Sequence, residues 1–337
     1  MKFLSNKKRS VILKNKKLKI LIIRFSSIGD IVLTSPVLRC LKEQIEGLEL
    51  HYLTKKTFEP VLSANPHLDK LHFLGNSLSD CISILKKENF DHIIDLHHNL
   101  RTLIIKTSLG VNSSSFDKLN WQKWVFVNFK KNTLPELHIV DRYLQTVAFL
   151  GVKNDGRGLE YYLNGTYQLE ELLPSSHLKY TSVVIGAQHG TKRLPVERLT
   201  ELCSKINQPV VLLGGPEDAE RGELIAKSAG KHVFNACGKF KLDQSAFLIK
   251  MSEKVISHDT GLMHIAAAFN KTILSVWGNT VPEFGMYPYQ VDQSYMFQVP
   301  DLACRPCSKI GHDTCPKGHF KCMNNLNLTE LIEKANG

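Results

Sequence analysis

From residue 18 onward, short apolar runs alternate with stretches whose apolar positions recur every three to four residues. The runs have the length of a strand buried on both faces, and the stretches have the period of a helix with one buried stripe. Residues 18–24 read as a strand, 31–44 as a helix, 48–53 as a second strand and 58–63 as a short helix. The series continues with a brief strand at 71–73, a helix at 78–87 and an apolar strand at 92–96. Helical spacing returns at 138–150 and stops at Gly151, a residue type that closes helices in the left-handed conformation. Between these lies an aromatic and basic stretch, 121–131, which reads either as a lid over a bound acceptor or as packing.

Residues 155–178 form a connection, with Gly156, Gly158 and Gly165 near its start and Pro174-Ser175-Ser176 near its end. A second and cleaner alternation follows. Strands are expected at 181–185, 209–213, 232–236, 254–257 and 272–277, with helices at 195–205, 218–229, 242–250 and 261–269. A last helix, 327–335, has no strand after it. Strands alternating with helices imply parallel sheets with helical crossovers. The pattern therefore predicts an α/β protein of two Rossmann-like domains, 18–160 and 175–325, facing each other across a cleft. The helix in 326–337 is expected to pack back on the first domain. Ligands of open parallel sheets bind beyond the carboxyl ends of the strands, so the residues just after each strand are the candidates for chemistry.

Composition narrows the class. At 337 residues and 43% hydrophobic, the chain has enough apolar material for two cores and does not fit disorder. A formal charge of +11 favours anionic partners. The first nineteen residues hold Lys2, Lys7, Lys8, Arg9, Lys14, Lys16, Lys17 and Lys19 and no acid. This leader is either simply solvated or drawn to an anionic membrane face, at about 1 kcal/mol per basic residue near such a surface. No run reaches the apolar length of a membrane span, and no signal peptide is evident. The expectation is a cytoplasmic protein, at most peripheral to a membrane. Trp121, Trp124, Phe126 and Phe129 interleave with Lys123, Lys130 and Lys131 in the manner of a single-strand stacking groove. No nucleic-acid-binding motif accompanies them, so nucleic acid is not expected as a partner and a non-enzymatic binding protein is the subordinate reading.

Two segments carry the most chemistry. Arg24-Phe25-Ser26-Ser27-Ile28-Gly29-Asp30 joins the first strand to the first helix. Asp30 is placed either to cap that helix or to act as a general base. Neither the glycine triplet of a dinucleotide site nor the Gly-Lys-Ser/Thr of a Walker loop is present. The second segment, 257–268, turns from a strand through Asp259, Thr260 and Gly261 into a helix of small residues. Free amides at such a helix start suit a phosphate, and Asp259 suits sugar hydroxyls. His264, one turn further on, is either a core histidine or a ligand contact. Lys192 and Arg193 follow another strand and could neutralise a diphosphate. Glu217 follows Gly214-Gly215-Pro216 and suits ribose hydroxyls, or merely a first helical turn. Asn99 and Arg101 follow the strand at 92–96, where Arg101 could meet an acceptor anion or an interdomain acid.

Of the eight cysteines, Cys40, Cys81, Cys203 and Cys237 sit in apolar surroundings and read as core residues. Cys304, Cys307, Cys315 and Cys322 lie together in a basic segment rich in glycine and proline. They read either as a structural zinc site, with His312 and His319 as further ligands, or as packed thiols or a labile disulfide.

Taken in order, 24–30 with Ser35-Pro36, 95–101, 192–195, 214–217 and 259–268 resemble the lipopolysaccharide heptosyltransferases, over about residues 18–325. That family consists of inverting glycosyltransferases with the two-domain GT-B fold. The resemblance implies Asp30 as catalytic base, and Lys192, Glu217, Asp259, Thr260, Gly261 and His264 as donor-binding residues. The N-terminal half would bind the acceptor, with Asn99 and Arg101 as candidates. It further implies ADP-heptose as donor, a lipid-linked anionic saccharide of the lipopolysaccharide core as acceptor, and a place at the cytoplasmic surface of the inner membrane. No required cofactor is implied. A transferase of the same fold that uses another nucleotide sugar for surface polysaccharide is the alternative.

Overall fold

The computed structural model describes residues 17–337; residues 1–16, most of the basic leader, lie outside the described residues. The chain divides into two compact units. One holds the chain up to Lys118 together with Val140–Asp155, and the other holds Leu119–Ile139 with Gly156–Gly337. The aromatic stretch expected within the first domain thus groups with the second unit.

The first unit is built on five strands: β1 (Lys19–Ile23), β2 (Glu49–Lys55), β3 (Lys70–Leu74), β4 (His92–Asp95) and β5 (Ser113–Ser115). They pair in parallel in the order β3-β2-β1-β4-β5. β1 is central, and its Ile20–Ile23 are wholly buried, as a parallel strand covered on both faces requires. One core layer joins Leu21, Ile23, Leu53 and Ile93 to Cys81, Leu85 and Ile105 from the covering helices. The helix expected at 31–44 is instead two helices, Ile28–Val32 and Ser35–Gln44. Pro36 sits in the first turn of the second one, where it needs no amide donor but disfavours unbroken helix before it. Helix Leu100–Leu109 and strand β5 had no clear signal, since β5 is three serines placed by pairing with β4.

The second unit has six strands: β6 (Thr181–Val184), β7 (Val210–Leu213), β8 (Val233–Asn235), β9 (Lys254–His258), β10 (Thr272–Trp277) and β11 (Ser294–Gln298). All pair in parallel, in the order β11-β10-β9-β6-β7-β8. In each sheet the chain order reverses between two central strands, β1 and β4 in the first and β6 and β9 in the second. These reversals are where open α/β sheets bind ligands. Cys40, Cys81, Cys203 and Cys237 are buried, as expected. Among the described residues, no helix is long and apolar enough to cross a membrane.

The C-terminal helix, Leu328–Asn336, corrects one expectation. It docks on the second unit, not the first: Leu328, Leu331 and Ala335 join a core with Leu202, Ile206 and Leu274. Lys254 Nζ donates to the carbonyl of Ala335 at 2.9 Å, and Asn336 Nδ2 donates to that of Lys205 at 2.9 Å. The spacing of its apolar residues announces a buried stripe without saying which surface will cover it. Leu331→Ala should lower the stability of the second unit by about 2–5 kcal/mol, read as a lower urea midpoint. An unchanged midpoint would mean that the helix adds nothing to that core.

Candidate functional site

At the carboxyl end of β1 the chain leaves the core through Arg24, which is 8% exposed. Its guanidinium is pinned on several sides. Nε donates to the carbonyl of Ser26 at 2.6 Å, and Nη1 donates to the carbonyl of Leu96 at 2.6 Å and to the Tyr143 hydroxyl at 3.1 Å. Nη2 lies 2.6 Å from Asp30 Oδ2. The Ser27 amide and hydroxyl reach the same oxygen at 3.3 and 3.0 Å. Asp30 is therefore both the acid of a capping box with Ser27 and the partner of Arg24. Burial opposes its charge, but Arg24 and the two Ser27 donors outweigh that and hold its carboxyl below the usual carboxylate range. Every one of these bonds falls on Oδ2. Oδ1 is left without one among the described residues, on a side chain 20% exposed.

The neighbouring strand end is organised by Asp95, which is fully buried. It pairs with Lys106 at 2.8 Å and accepts the amides of His97 and His98 at 3.1 and 2.6 Å. Asn99 caps helix Leu100–Leu109: its Oδ1 accepts the Thr102 amide at 3.0 Å, while Thr102 Oγ1 accepts the Asn99 amide at 2.9 Å. The oxygen of this candidate acceptor residue is thus committed to the helix. Arg101 is exposed and takes part in no ion pair among the described residues.

In the second unit, the loops after β6 and β9 converge. Lys192 Nζ lies 2.6 Å from Asp259 Oδ2, with side chains only 16% and 10% exposed. The Thr280 hydroxyl, from the loop after β10, donates to the same oxygen at 3.0 Å. Thr260 adopts an extended conformation before helix Gly261–Ala268 and gives it no side-chain cap; its hydroxyl lies 3.4 Å from that of Ser257. The first-turn amides, which Thr260 does not cap, lie at the positive end of the helix, a place that suits an anion. His264 is 2% exposed within the same helix. His258, at the end of β9, accepts the Leu194 amide on Nε2 at 2.9 Å. Burial, reinforced by Arg221 and Arg193, pushes its pKa down to about 3, so it is a neutral strut.

Glu217 is exposed at the turn after β7, while its neighbour Asp218 is 1% exposed. Asp218 accepts the Gly215 amide at 3.1 Å and lies 3.6 Å from Arg193. A Cβ on Gly186 would strike its carboxylate, so the glycine there allows two loops to close. No sequence signal separated the two adjacent acids; burial alone shows that Asp218 shapes the loops and Glu217 faces solvent.

Behind these loops lies a second layer that no local sequence signal marks. The Thr191 hydroxyl and the backbone of His312 exchange hydrogen bonds at 2.9 Å each way. Arg305 Nη2 donates to the carbonyl of Thr280 at 2.9 Å, and the Cys307 amide to that of Asn279 at 3.3 Å. The cysteine segment thus buttresses the loops carrying Lys192 and Thr280. Its four thiols gather closely enough that Cys304, Cys307 and Cys315 add to the burial that raises the pKa of Cys322. Among the described residues, no three of Cys304, Cys307, Cys315, Cys322 and the nearby histidines bring ligand atoms within 4.8 Å of one another. The aromatic stretch is a helix, Asn120–Phe129, tied to this segment by Lys130 Nζ, which donates to the carbonyl of Pro306 at 2.7 Å. Trp121 and Phe129 remain 68% and 67% exposed.

Because Arg24 depresses the folded-state pKa of Asp30, the pair contributes stability above the carboxylate's unfolded pKa and loses it as pH falls through the lower folded value. Arg24→Gln should raise the folded pKa and move acid unfolding to higher pH, followed by circular dichroism. An unmoved acid transition would mean that the pair adds no pH-dependent stability.

Comparison with known proteins places this arrangement. Residues 81–317 match the family model for glycosyltransferase family 9 (heptosyltransferase). Lipopolysaccharide heptosyltransferase 1 of Campylobacter coli is 26% identical over 290 residues, covering 78% of this chain and 84% of that protein. A family 9 glycosyltransferase from Veillonella parvula superposes with a TM-score of 0.76 at 20% identity, covering 94% of this chain and 96% of that one. The E. coli heptosyltransferase WaaC, solved with ADP, superposes with a TM-score of 0.68 at 20% identity, covering 94% and 100%. The two parallel sheets have the GT-B glycosyltransferase fold. The chain belongs to glycosyltransferase family 9, the heptosyltransferase family.

Proposed function

We propose that the protein transfers a heptose from ADP-heptose to a saccharide of the lipopolysaccharide core, with inversion at the anomeric carbon. The observation that carries this reading is the second unit's combination of a mostly buried cation, an acid and an uncapped helix start at the switch point of its sheet. That set matches a sugar diphosphate group by group. Lys192 and the amides following Thr260 take the diphosphate, and Asp259 takes sugar hydroxyls. Gly261 lets the phosphate approach the backbone, and Glu217 meets the ribose. His264 backs the helix from within. The E. coli relative solved with ADP-2-deoxy-2-fluoro heptose supports a nucleotide-sugar donor.

In the first unit, Asp30 serves as base through Oδ1. The acceptor hydroxyl attacks the anomeric carbon on the face opposite the nucleotide, and its proton passes to Asp30. The bond to the diphosphate oxygen breaks, and ADP leaves with the electron pair. Preorganised donors such as Lys192 and the helix amides stabilise that developing charge, and stabilisation of this kind often contributes most of the rate enhancement. No step uses a metal. Arg101 is exposed and available to an anionic acceptor. Exposed Trp121, Trp124 and Phe129 beside Lys123 and Lys131 suit a peripheral position at an anionic membrane surface, where aromatic rings settle at the headgroup level.

The test is incubation with ADP-heptose and a panel of truncated core acceptors, following product mass and ADP release. Asp30→Asn, which keeps the shape of the side chain, should lower turnover by roughly 10²-fold or more. Lys192→Gln should chiefly raise the KM for donor. Near-normal turnover in folded Asp30→Asn protein would defeat the assignment of the base. Failure of ADP-heptose beside success of another nucleotide sugar would move the protein to the alternative donor class.

A further inference from the structure

The first unit holds another concentration of polar chemistry, near the amino-terminal ends of its strands and away from Asp30. His51 on β2 and His72 on β3 are 1% and 5% exposed. His51 Nδ1 and His72 Nε2 are 3.0 Å apart. Glu88, shortly before β4, brings its carboxylate to 3.9 Å from His51 Nδ1 and 4.0 Å from His72 Nε2. On the other side of the His51 ring, Nε2 lies 2.8 Å from Glu49 Oε1. Phe90 meets both rings edge-on.

The proton positions follow from these partners. Lys19 lies 2.8 Å from Glu49, and a carboxylate paired with an ammonium acts as a hydrogen-bond acceptor. His51 Nε2 therefore carries the hydrogen that Glu49 receives. In the neutral tautomer that this contact sets, His51 Nδ1 is a lone pair that accepts from His72 Nε2–H at 3.0 Å. One ligand atom from each of His51, His72 and Glu88 thus lies within 4.8 Å of the other two, with one nitrogen already bare. Tetrahedral ligands about 2.0 Å from a zinc-like ion stand about 3.3 Å apart. The two nitrogens, 3.0 Å apart, stand a little inside that value, and the nearest Glu88 oxygen to each, Oε2 at 3.9 Å from His51 and Oε1 at 4.0 Å from His72, a little outside it. Glu49 holds the place of the outer carboxylate that orients a metal-bound imidazole. A surface depression of about 430 Å³, lined in part by His51, Glu49, Asp69 and Lys70, opens beside the His51 end of this group.

We propose that His51, His72 and Glu88 bind a divalent transition-metal ion, with Glu49 orienting His51. On binding, the His72 ring proton moves from Nε2 to Nδ1. Two metal–nitrogen bonds replace the N–H···N hydrogen bond, and no histidine proton is released. The charges around the site permit the exchange. Glu88 is shared by Lys19 and Lys70, at 3.4 and 2.5 Å. The side chain of Lys70 is 53% exposed and free to withdraw into water as the metal takes the carboxylate. Lys19 stays on Glu49 at 2.8 Å, and Lys42 occupies Asp69 at 2.5 Å. The ion ties β2, β3 and the turn before β4 together, a role independent of the sugar transfer proposed above.

The test is a titration of metal-free, full-length, reduced protein with Co²⁺, read by visible absorption. One equivalent should bind with the d–d spectrum of nitrogen and oxygen ligands and without a thiolate-to-cobalt charge-transfer band. His72→Gln should abolish that spectrum. Glu49→Gln should weaken binding by roughly 10- to 100-fold. If His72→Gln does not fold, Glu49→Gln decides alone, because its side chain is 38% exposed and outside the core. A spectrum carrying only the thiolate band would place the metal at the cysteines and overturn the proposal. So would cobalt binding that neither substitution changes.

Discussion

A strand buried on both faces has room for charge only at its ends, and the chemistry of both units follows from that constraint. β1 is closed to water through Ile23, and the next residue is a guanidinium. β4 ends on Asp95 and β9 on His258, each buried at the point where the sheet stops. Polar groups held so close to a core need fixed partners, because leaving one unpaired costs more than an ordinary hydrogen bond returns. Arg24 meets two carbonyls, a hydroxyl and a carboxylate; Asp95 meets Lys106 and two amides. The loops that carry the candidate groups are consequently held by the same bonds that close off the sheets.

That rigidity has a cost for Asp30. A carboxylate held below its usual range by Arg24 is ionised at neutral pH, but it is a weaker base than a free one. On the proposed function, the geometry offsets this by committing Oδ2 to Arg24 and Ser27 and leaving Oδ1 for an incoming proton. A base held in this way would trade proton affinity for position. Such a trade suits a reaction whose barrier is lowered mostly by alignment and by stabilising the leaving group.

The two parallel sheets were legible because continuous apolar runs of four to six residues, each followed by helical spacing, allow little else. Strands such as β5 were not legible, since Ser113–Ser115 becomes a strand only by pairing beside β4. The break at Thr34 was signalled by Pro36 and passed over, because the apolar period runs straight through it. In the site, Asp30, Lys192 and Asp259 could be named from their places after strands. Their partners could not: Thr280 and Asp218 carry no local mark, and the contact of Thr191 with His312 spans 121 residues of sequence. Asn99 shows a role that its place after a strand did not announce, since its Oδ1 starts the next helix. The His51, His72 and Glu88 group escaped for the same reason as Thr280: its members are far apart in sequence, and only sheet order brings them together.

The Lys192–Asp259 pair sets a condition on any donor. Both side chains are mostly buried, so drawing Lys192 onto a diphosphate alone would leave Asp259 with the Thr280 hydroxyl as its remaining partner. An unpaired carboxylate there is costly, and a free phosphate or pyrophosphate would have to bear that cost without relief. A sugar diphosphate supplies both halves of the exchange: phosphate oxygens for the ammonium and hydroxyl hydrogens for the carboxylate. On the proposed function, the ion pair therefore disfavours simple anions and nucleotides lacking the sugar. Discrimination then comes from what each poor ligand leaves unsatisfied, and the same exchange ties charge on the leaving group to correct seating of the sugar.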